Sequence, residues 1–124
     1  MATDNSHVVL IVDDDKYTRE SVRELVLSWH IETDDADSGA IAIEKMKNRK
    51  YSLVLLDMRM DNMDGLDVLE EIKKLNIKAP IMLMTAYPHD ERVERALKYD
   101  ICLCLVKPVS PAGLKKVVER FIKI

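Results

Sequence analysis

The chain has 124 residues, of which 48% are hydrophobic and 33% are charged, a composition typical of one globular domain with a substantial core. The formal net charge of −3 argues against a dedicated nucleic-acid-binding protein, because such domains are usually basic with clustered Lys and Arg. No apolar run approaches the ~20 residues of a membrane-spanning helix, and the polar first residues do not resemble a signal peptide, so we expect a cytoplasmic protein with no membrane partner.

The pattern of apolar residues in the first half of the chain predicts alternating strands and helices. Apolar runs and apolar residues at helical spacing place these elements, in chain order, at 8–12, 18–30, 31–36, 38–46 and 53–56. The second strand is short and polar, which is typical of a sheet edge. Ser38 is a suitable N-cap for the second helix.

The second half continues the same alternation. Its predicted elements, in chain order, are at 66–75, 81–84, 90–98, 101–106 and 110–122. The helix 90–98 is highly charged, with a thin apolar stripe of Val93, Ala96 and Leu97. Ser110 and Pro111 suit the N-cap and first position of the last helix.

Five strands that alternate with five helices predict an α/β domain with a parallel sheet. Right-handed crossovers would cover both faces of this sheet with helices, which explains why most of the strands are continuously apolar. We therefore expect a three-layer, doubly wound (βα)5 domain. The polar second strand suits the flavodoxin-like strand order 2-1-3-4-5.

Polar residues follow each of the four apolar strands. Asp13 and Asp14 follow the first strand, Asp57 the third, Thr85 the fourth and Lys107 the fifth. Since the carboxyl ends of parallel strands lie at one edge of a sheet, we expect these side chains to converge where open α/β sheets bind ligands.

Three carboxylates at one place require a cation. Mg²⁺ prefers oxygen ligands and keeps several waters, so an open acidic site fits it. Lys107 would add a positive charge and Thr85 a hydroxyl donor, which together suit a phosphoryl group on a central carboxylate. Asp57 is the expected nucleophile. Asp15 is expected to face solvent or to cap the first helix.

Four sequence motifs resemble the receiver domain of two-component response regulators. They are "VLIVDDD", "LVLLDMRM" followed by "MDG", "IMLMTA" and "LVKP", and the resemblance covers about residues 7–122. It implies that Asp57 is the phosphoacceptor. It also implies that Mg²⁺ is held by Asp14, Asp57 and the backbone carbonyl of Arg59, with Asp13 acting mainly through water.

The same resemblance assigns roles to the residues after the last two strands. Thr85 and Lys107 would contact the phosphoryl group, and a cis peptide before Pro108 would help to set the lysine. The chain would then be a phosphoacceptor that catalyses its own phosphorylation and dephosphorylation, and not an enzyme acting on other molecules.

The resemblance also implies partners. A sensor histidine kinase or a histidine phosphotransfer protein would supply the phosphoryl group. The face formed by 90–122 would signal to an output domain or partner protein, and this face could also form a homodimer. The motifs are most similar to receivers attached to NtrC-type transcription activators, but we expect residues 1–124 to be a single receiver domain without an output domain or direct nucleic-acid contact.

The chain departs from the receiver pattern at three places. Asp61 stands where the family often has proline, which adds an acid near the site. Asp100 and Ile101 replace the usual Gly-Ala. Cys104 stands where an aromatic residue usually changes rotamer during switching, and a cysteine cannot make the same change on the signalling route to the last helices.

Two tyrosines and one arginine are candidates to affect switching or the lifetime of the phosphoryl group. Tyr99 and Tyr87 are candidates for the role of the missing aromatic, although ordinary loop or surface tyrosines are the simpler interpretation. Arg59 and Tyr87 each lie two residues beyond a site residue. Their bulk could shield the phosphoryl group from water, and this favours a long-lived phosphorylated state.

Three other functions fit parts of the same sequence. Asp13 and Asp15 match the D-x-D motif of haloacid-dehalogenase-type phosphatases, but those enzymes need a larger core and further acids. A flavin-binding relative should have a Ser/Thr/Gly-rich first loop, where this chain has acids. A degenerate receiver that only binds proteins is kept open by Cys104.

Overall fold

Five strands alternate with five helices in the computed structural model of the chain, which describes residues 7–99 and 102–124. The strands are β1 (Val8–Val12), β2 (Glu32–Ala36), β3 (Leu53–Asp57), β4 (Ile81–Thr85) and β5 (Cys102–Val106). The helices are α1 (Lys16–Leu27), α2 (Gly39–Asn48), α3 (Gly65–Lys74), α4 (Glu91–Ala96) and α5 (Pro111–Glu119). Within the described residues, no helix is both long and apolar enough to cross a bilayer.

All five strands lie parallel in one sheet with the order β2-β1-β3-β4-β5, which confirms the predicted topology. The carboxyl ends of β1, β3, β4 and β5 therefore meet at one edge of the sheet. The polar strand β2 lies at the outside of the sheet, as its composition predicts.

Alternate side chains of the inner strands enter two separate cores. In β1, Val8, Leu10 and Val12 pack into the core that includes residues of α2, α3 and α4. Val9 and Ile11 pack into the opposite core with residues of α1 and α5. A strand buried on both faces has no need of polar alternation, and this explains the continuous apolar runs of the sequence.

Most of the helix boundaries differ from the predicted ones. The first helix ends at Leu27 and not at 30, because His30 adopts a left-handed φ of 63° that an α-helix does not accept. The fourth helix has only six residues, and Leu97, predicted to share its apolar stripe, is the exposed residue that caps its end. The predicted first residue of the fifth strand, Ile101, lies outside the described residues.

Gly65 brings the start of α3 close to the sheet. A Cβ atom at this position would lie 2.5 Å from Leu83 Cδ1 and 3.3 Å from Met58 Cα. Leu83 is fully buried and Met58 contributes backbone here, so neither can move aside easily. This close approach sets α3, and the loop before it, against the carboxyl edge of the sheet.

Candidate functional site

Four strand ends bring the predicted polar residues to one edge of the sheet. Asp57 and Thr85 are the last residues of β3 and β4. Asp13 follows β1 directly, and Lys107 follows β5. The strands that carry these residues, β1, β3, β4 and β5, lie side by side in the sheet, so the parallel order accounts for the convergence.

Asp13, Asp14 and Asp57 form an acidic cluster whose carboxylate oxygens lie within 4.8 Å of one another. Asp13 and Asp57 are buried, with 2% and 6% of their surface exposed, whereas Asp14 is exposed. Asp13 Oδ1 accepts a hydrogen bond from the Asp15 backbone N–H at 2.9 Å. Asp13 Oδ2 is buried and has no hydrogen-bond partner among the described residues.

The unpartnered Asp13 Oδ2 is consistent with a cation-binding site at the acidic cluster. A buried carboxylate oxygen without a donor is costly, and a divalent cation would offset that cost. The ligands on offer are all oxygens and one of the three acids faces solvent, which suits a hard ion that retains waters. The donor set of the cluster is therefore consistent with Mg²⁺.

Burial and mutual repulsion disfavour the charged forms of the two inner acids. Burial is the main cause that raises the pKa of Asp13, and the nearby charge of Asp57 adds to it. Burial also raises the pKa of Asp57, although the hydrogen bond from Lys107 works in the opposite direction. Both carboxyls therefore gain from any positive charge brought to the cluster.

Lys107 supplies one such charge. Its Nζ donates to Asp57 Oδ1 at 2.8 Å, and its backbone N–H donates to the Thr85 carbonyl at 2.7 Å. The Lys107–Pro108 peptide bond is cis, as the resemblance to receiver domains implies. The lysine is thus attached to β4 through its backbone and reaches the Asp57 carboxylate on β3 with its side chain.

Thr85 presents a buried hydroxyl at the same edge. Its Oγ1 accepts a hydrogen bond from the Tyr87 backbone N–H at 3.0 Å. In the part of the chain that the structure describes, this hydroxyl makes no other hydrogen bond. Its own hydrogen can therefore be donated to an anion that approaches the site.

A cleft of about 430 Å³ opens beside the acidic cluster. Asp14, Arg59, Asp61, Thr85 and Tyr87 are among the residues that line it. The Arg59 guanidinium lies 5.2 Å from the centre of the Tyr87 ring, a cation–π contact. The two side chains thus contact each other within the cleft that leads to the site.

The sequence gives no sign of two contacts that hold the acidic loop. The Asp61 backbone N–H donates to Asp14 Oδ2 at 3.1 Å, a bond that proline could not make. Arg19 Nη1 donates to the Asp13 carbonyl at 2.9 Å, and its Nε donates to Asp35 at 3.0 Å. These partners lie far apart in sequence or involve backbone atoms, so residue types alone do not indicate them.

Asp15 does not belong to the acidic cluster. It is the N-cap of α1, where its side chain accepts a hydrogen bond from the Thr18 backbone N–H at 2.9 Å. Asp15 is also exposed, so both of its expected roles are confirmed. This placement also removes one half of the D-x-D motif on which the phosphatase alternative depended.

Cys104, which replaces the usual aromatic residue, and the two tyrosines that are candidates for its role lie in different surroundings. Cys104 is half-buried and packs against the core beside α3 and α4. Tyr99 is partly buried against the same core, whereas Tyr87 is 60% exposed and contacts Arg59. The replaced Gly-Ala position, Asp100 and Ile101, lies outside the described residues.

Comparisons with known proteins agree with the resemblance seen in the sequence. The family model of the response regulator receiver domain matches residues 9–119. The chemotaxis protein CheY of Bacillus subtilis is 33% identical over 116 residues, which cover 93% of this chain and 97% of CheY. The transcriptional regulatory protein ZraR of Escherichia coli K12 is 37% identical over 112 residues, 90% of this chain. The chain spans only about a quarter of the length of ZraR, 25%.

Solved structures share the fold over most of the chain. The response regulator TrrA of Thermotoga maritima, crystallised in complex with Mg²⁺ and BeF, has a TM-score of 0.80 and 32% identity, and the match covers 94% of this chain and 99% of TrrA. The chemotaxis protein CheY4 of Vibrio cholerae has a TM-score of 0.84 at 24% identity, with 94% and 98% of the two chains covered. The second likeness concerns the fold alone.

Proposed function

The chain belongs to the response regulator receiver domain family of phosphoaccepting signalling domains, and on that premise we propose that Asp57 accepts a phosphoryl group in an Mg²⁺-dependent reaction. The observation that carries this proposal is the buried Asp57 carboxylate, which lies in an acidic cluster and is paired with Lys107 at 2.8 Å. A nucleophile, a cation site and a fixed positive charge are the groups that phosphoryl transfer to a carboxylate requires.

We assign the metal site to the carboxylates of Asp13, Asp14 and Asp57 and to the backbone carbonyl of Arg59. The unpartnered Asp13 Oδ2 and the raised pKa of Asp13 and Asp57 support this assignment, because both features are unfavourable without a cation. When bound, Mg²⁺ would neutralise charge on the phosphoryl oxygens and on the attacking carboxylate.

The other site residues have separate tasks in the transfer. An Asp57 oxygen forms the new P–O bond as the P–N bond of a phosphohistidine breaks and the imidazole leaves. Lys107 orients Asp57 before the reaction and then pairs with a phosphoryl oxygen. Thr85 donates its hydroxyl hydrogen to another phosphoryl oxygen, and Arg59 and Tyr87 limit the access of water through the cleft.

The partners follow from this chemistry. We propose a sensor histidine kinase or a histidine phosphotransfer protein as the donor, and an output domain or partner protein at the face formed by 90–122. The negative charge added to Asp57 would shift an equilibrium between two states of this face. We also propose that residues 1–124 act as one receiver domain with its core in 7–122.

Intact-mass spectrometry after incubation with phosphoramidate tests the phosphoacceptor directly. This donor carries the same P–N bond that breaks in phosphohistidine. We expect one phosphoryl adduct in the presence of Mg²⁺ and none with EDTA. Asp57→Ala should lose the adduct, whereas Asp15→Asn should keep it because Asn also caps a helix and Asp15 lies outside the cluster.

Two results would contradict the proposal. An adduct of equal yield in folded Asp57→Ala would show that another residue is the acceptor. The lack of any adduct in the wild-type chain, together with a lack of Mg²⁺ binding by calorimetry, would favour the degenerate receiver that only binds proteins. Circular dichroism of each variant separates these results from a failure to fold.

A further inference from the structure

A groove of about 590 Å³ lies beside the C-terminal ends of α3 and α4. The N-caps of the same two helices, Asp64 and Asp90, line the cleft at the phosphoacceptor site. Most residues that line the groove therefore lie toward the opposite end of these helices from the site, although Leu66, in the first turn of α3, also contributes to it. Its volume is within the range of about 300–1,000 Å³ that is typical of ligand pockets.

The rim of the groove is strongly basic. Among the described residues that line it, Lys73, Lys78, Arg95 and Lys98 are basic and Glu70 is acidic. Glu70 lies 3.5 Å from Arg95, and the three lysines form no ion pair with any described residue. This excess of cations contrasts with the net charge of −3 of the whole chain.

Helix dipoles explain only part of this charge. Lys73 and Arg95 lie in the last turns of α3 and α4, where basic residues stabilise the helix end. Lys78 and Lys98 lie beyond both helices, so the dipoles give no reason for their charge. Both are exposed, and so they are accessible to a ligand.

The wall of the groove is apolar and aromatic. Leu66, Ile77 and Tyr99 contribute to it, and Lys73 Nζ lies 5.2 Å from the centre of the Tyr99 ring. An apolar wall inside a basic rim matches a ligand in which carboxylates flank an apolar side chain.

We propose that this groove binds an acidic segment of a partner protein, with an apolar side chain against Tyr99 and Ile77 and carboxylates paired with the lysines. Charge complementarity favours this occupant over a second copy of the chain, which is itself acidic. A single-stranded nucleic acid fits less well, because such strands usually bind along a basic track with several stacking rings, and Tyr99 is the one aromatic residue among the described lining of this groove. The groove does not share its lining with the site cleft, so both can be occupied at once.

The test is a fluorescence-anisotropy titration of the full chain with a short labelled peptide, rich in glutamate around one phenylalanine. We expect saturable binding that weakens as salt is added. Lys73→Glu combined with Lys98→Glu should weaken binding by about tenfold or more. Lys47→Glu combined with Lys50→Glu changes the net charge equally, on exposed positions in the last turn of α2 and just beyond it, and should bind as the wild type does.

Each alternative outcome overturns the proposal. Equal weakening in both double variants would mean that net charge and not the groove governs binding. Unchanged binding in the Lys73/Lys98 variant would place the peptide elsewhere. If the wild-type chain does not bind the peptide, the proposed acidic ligand is excluded. It is also excluded if the glutamine analogue of the peptide displaces it at equal concentration. Binding of single-stranded DNA in place of the peptide would identify a different class of partner.

Discussion

At the scale of single residues, the replacement at Asp61 affects the site through the backbone N–H of this residue. The sequence indicates only an added acid at a position where receiver domains often have proline. The structure shows that the Asp61 N–H donates to Asp14 Oδ2 at 3.1 Å. This bond fixes a carboxylate of the proposed metal site that is otherwise exposed to solvent.

Asp61→Pro should weaken Mg²⁺ binding relative to Asp61→Asn. Both variants lose the acid, but only proline loses the N–H. A hydrogen bond of ~1 kcal/mol corresponds to about a fivefold rise in Kd, measured by titration calorimetry. Equal affinity of the two variants would mean that the bond does not position Asp14.

The contact between Arg59 and Tyr87 should lengthen the life of the phosphorylated state. Arg59→Ala and Tyr87→Ala each remove a contact worth about 0.5–1 kcal/mol, which corresponds to about two- to fivefold faster hydrolysis. The decay of the phosphoprotein mass after removal of donor measures this rate. Tyr17→Ala, which removes a 78% exposed tyrosine on α1, is the matched control. A longer lifetime in either cleft variant would argue against shielding.

At the scale of elements, α4 depends on its neighbours. It has six residues, too few for a helix that is stable alone. Arg92 Nη2 donates to Asp64 Oδ1 at 3.0 Å and to Asp67 Oδ1 at 2.9 Å, so that one guanidinium connects the start of α4 to the capping box of α3. The buried Val93 and Ala96 provide its apolar contacts.

This ion pair should make stability depend on pH in the acid range. Partial burial alone would raise the pKa of Asp64, but the hydrogen bonds from Arg92 and from the Asp67 backbone N–H outweigh it and lower the pKa. The charged form is thus favoured in the folded state, so its contribution is complete above the unfolded value of about 3.9 and is lost as the pH falls through the lower folded value.

Asp64→Asn keeps the helix cap and removes the charge. We expect a loss of about 0.5–1 kcal/mol in the free energy of unfolding at neutral pH, measured with urea, and a loss that shrinks to nothing in strong acid. Arg92→Gln should behave similarly. A loss of stability that is the same at every pH would show that the charge of Asp64 is not its cause.

The strands were easier to predict than the helix ends. The sequence predicts the strands and their order because a strand buried on both faces must be apolar along its whole length, as Val8–Val12 is. Helix ends depend on local backbone choices such as the positive φ of His30, which no apolar pattern encodes. The Arg92–Asp64 pair spans 28 residues and could not be read from local spacing.

The convergence of the candidate site residues at one edge of the sheet was predictable for a similar reason. Asp13, Asp57, Thr85 and Lys107 follow directly from the strand ends once the sheet is parallel. The hydrogen bonds that orient them involve backbone atoms of loops, as at Asp61 and Tyr87, and sequence gives no measure of these.

At the scale of the whole molecule, charge is separated along α3 and α4. The acidic cluster lies at one end of these helices and the basic groove at the other. The pKa values of Asp13 and Asp57 are raised, so folding disfavours the charged forms of both carboxyls. At any pH above the ordinary pKa of aspartate, the acidic cluster therefore destabilises the folded state when no cation is bound.

Mg²⁺ should therefore stabilise the chain at neutral pH. At about 100 times Kd, a single bound ion adds ~2.7 kcal/mol to the free energy of unfolding. In EDTA, Asp13→Asn should be more stable than the wild type by about 1 kcal/mol, because it removes an unpartnered buried charge. The variant should lose most of the Mg²⁺ effect in thermal unfolding. A variant less stable than the wild type in EDTA would contradict this explanation.

The parallel order of the strands has a consequence for how the chain reaches its native state. Parallel neighbours cannot be joined by tight hairpins, so every pairing in this sheet must close a long stretch of chain before it forms. Folding should then be dominated by non-local contacts. Because the four strand ends that carry the site come from four separate segments, no fragment with fewer strands can assemble it. The complete candidate site therefore arises only when the last strand has joined the sheet.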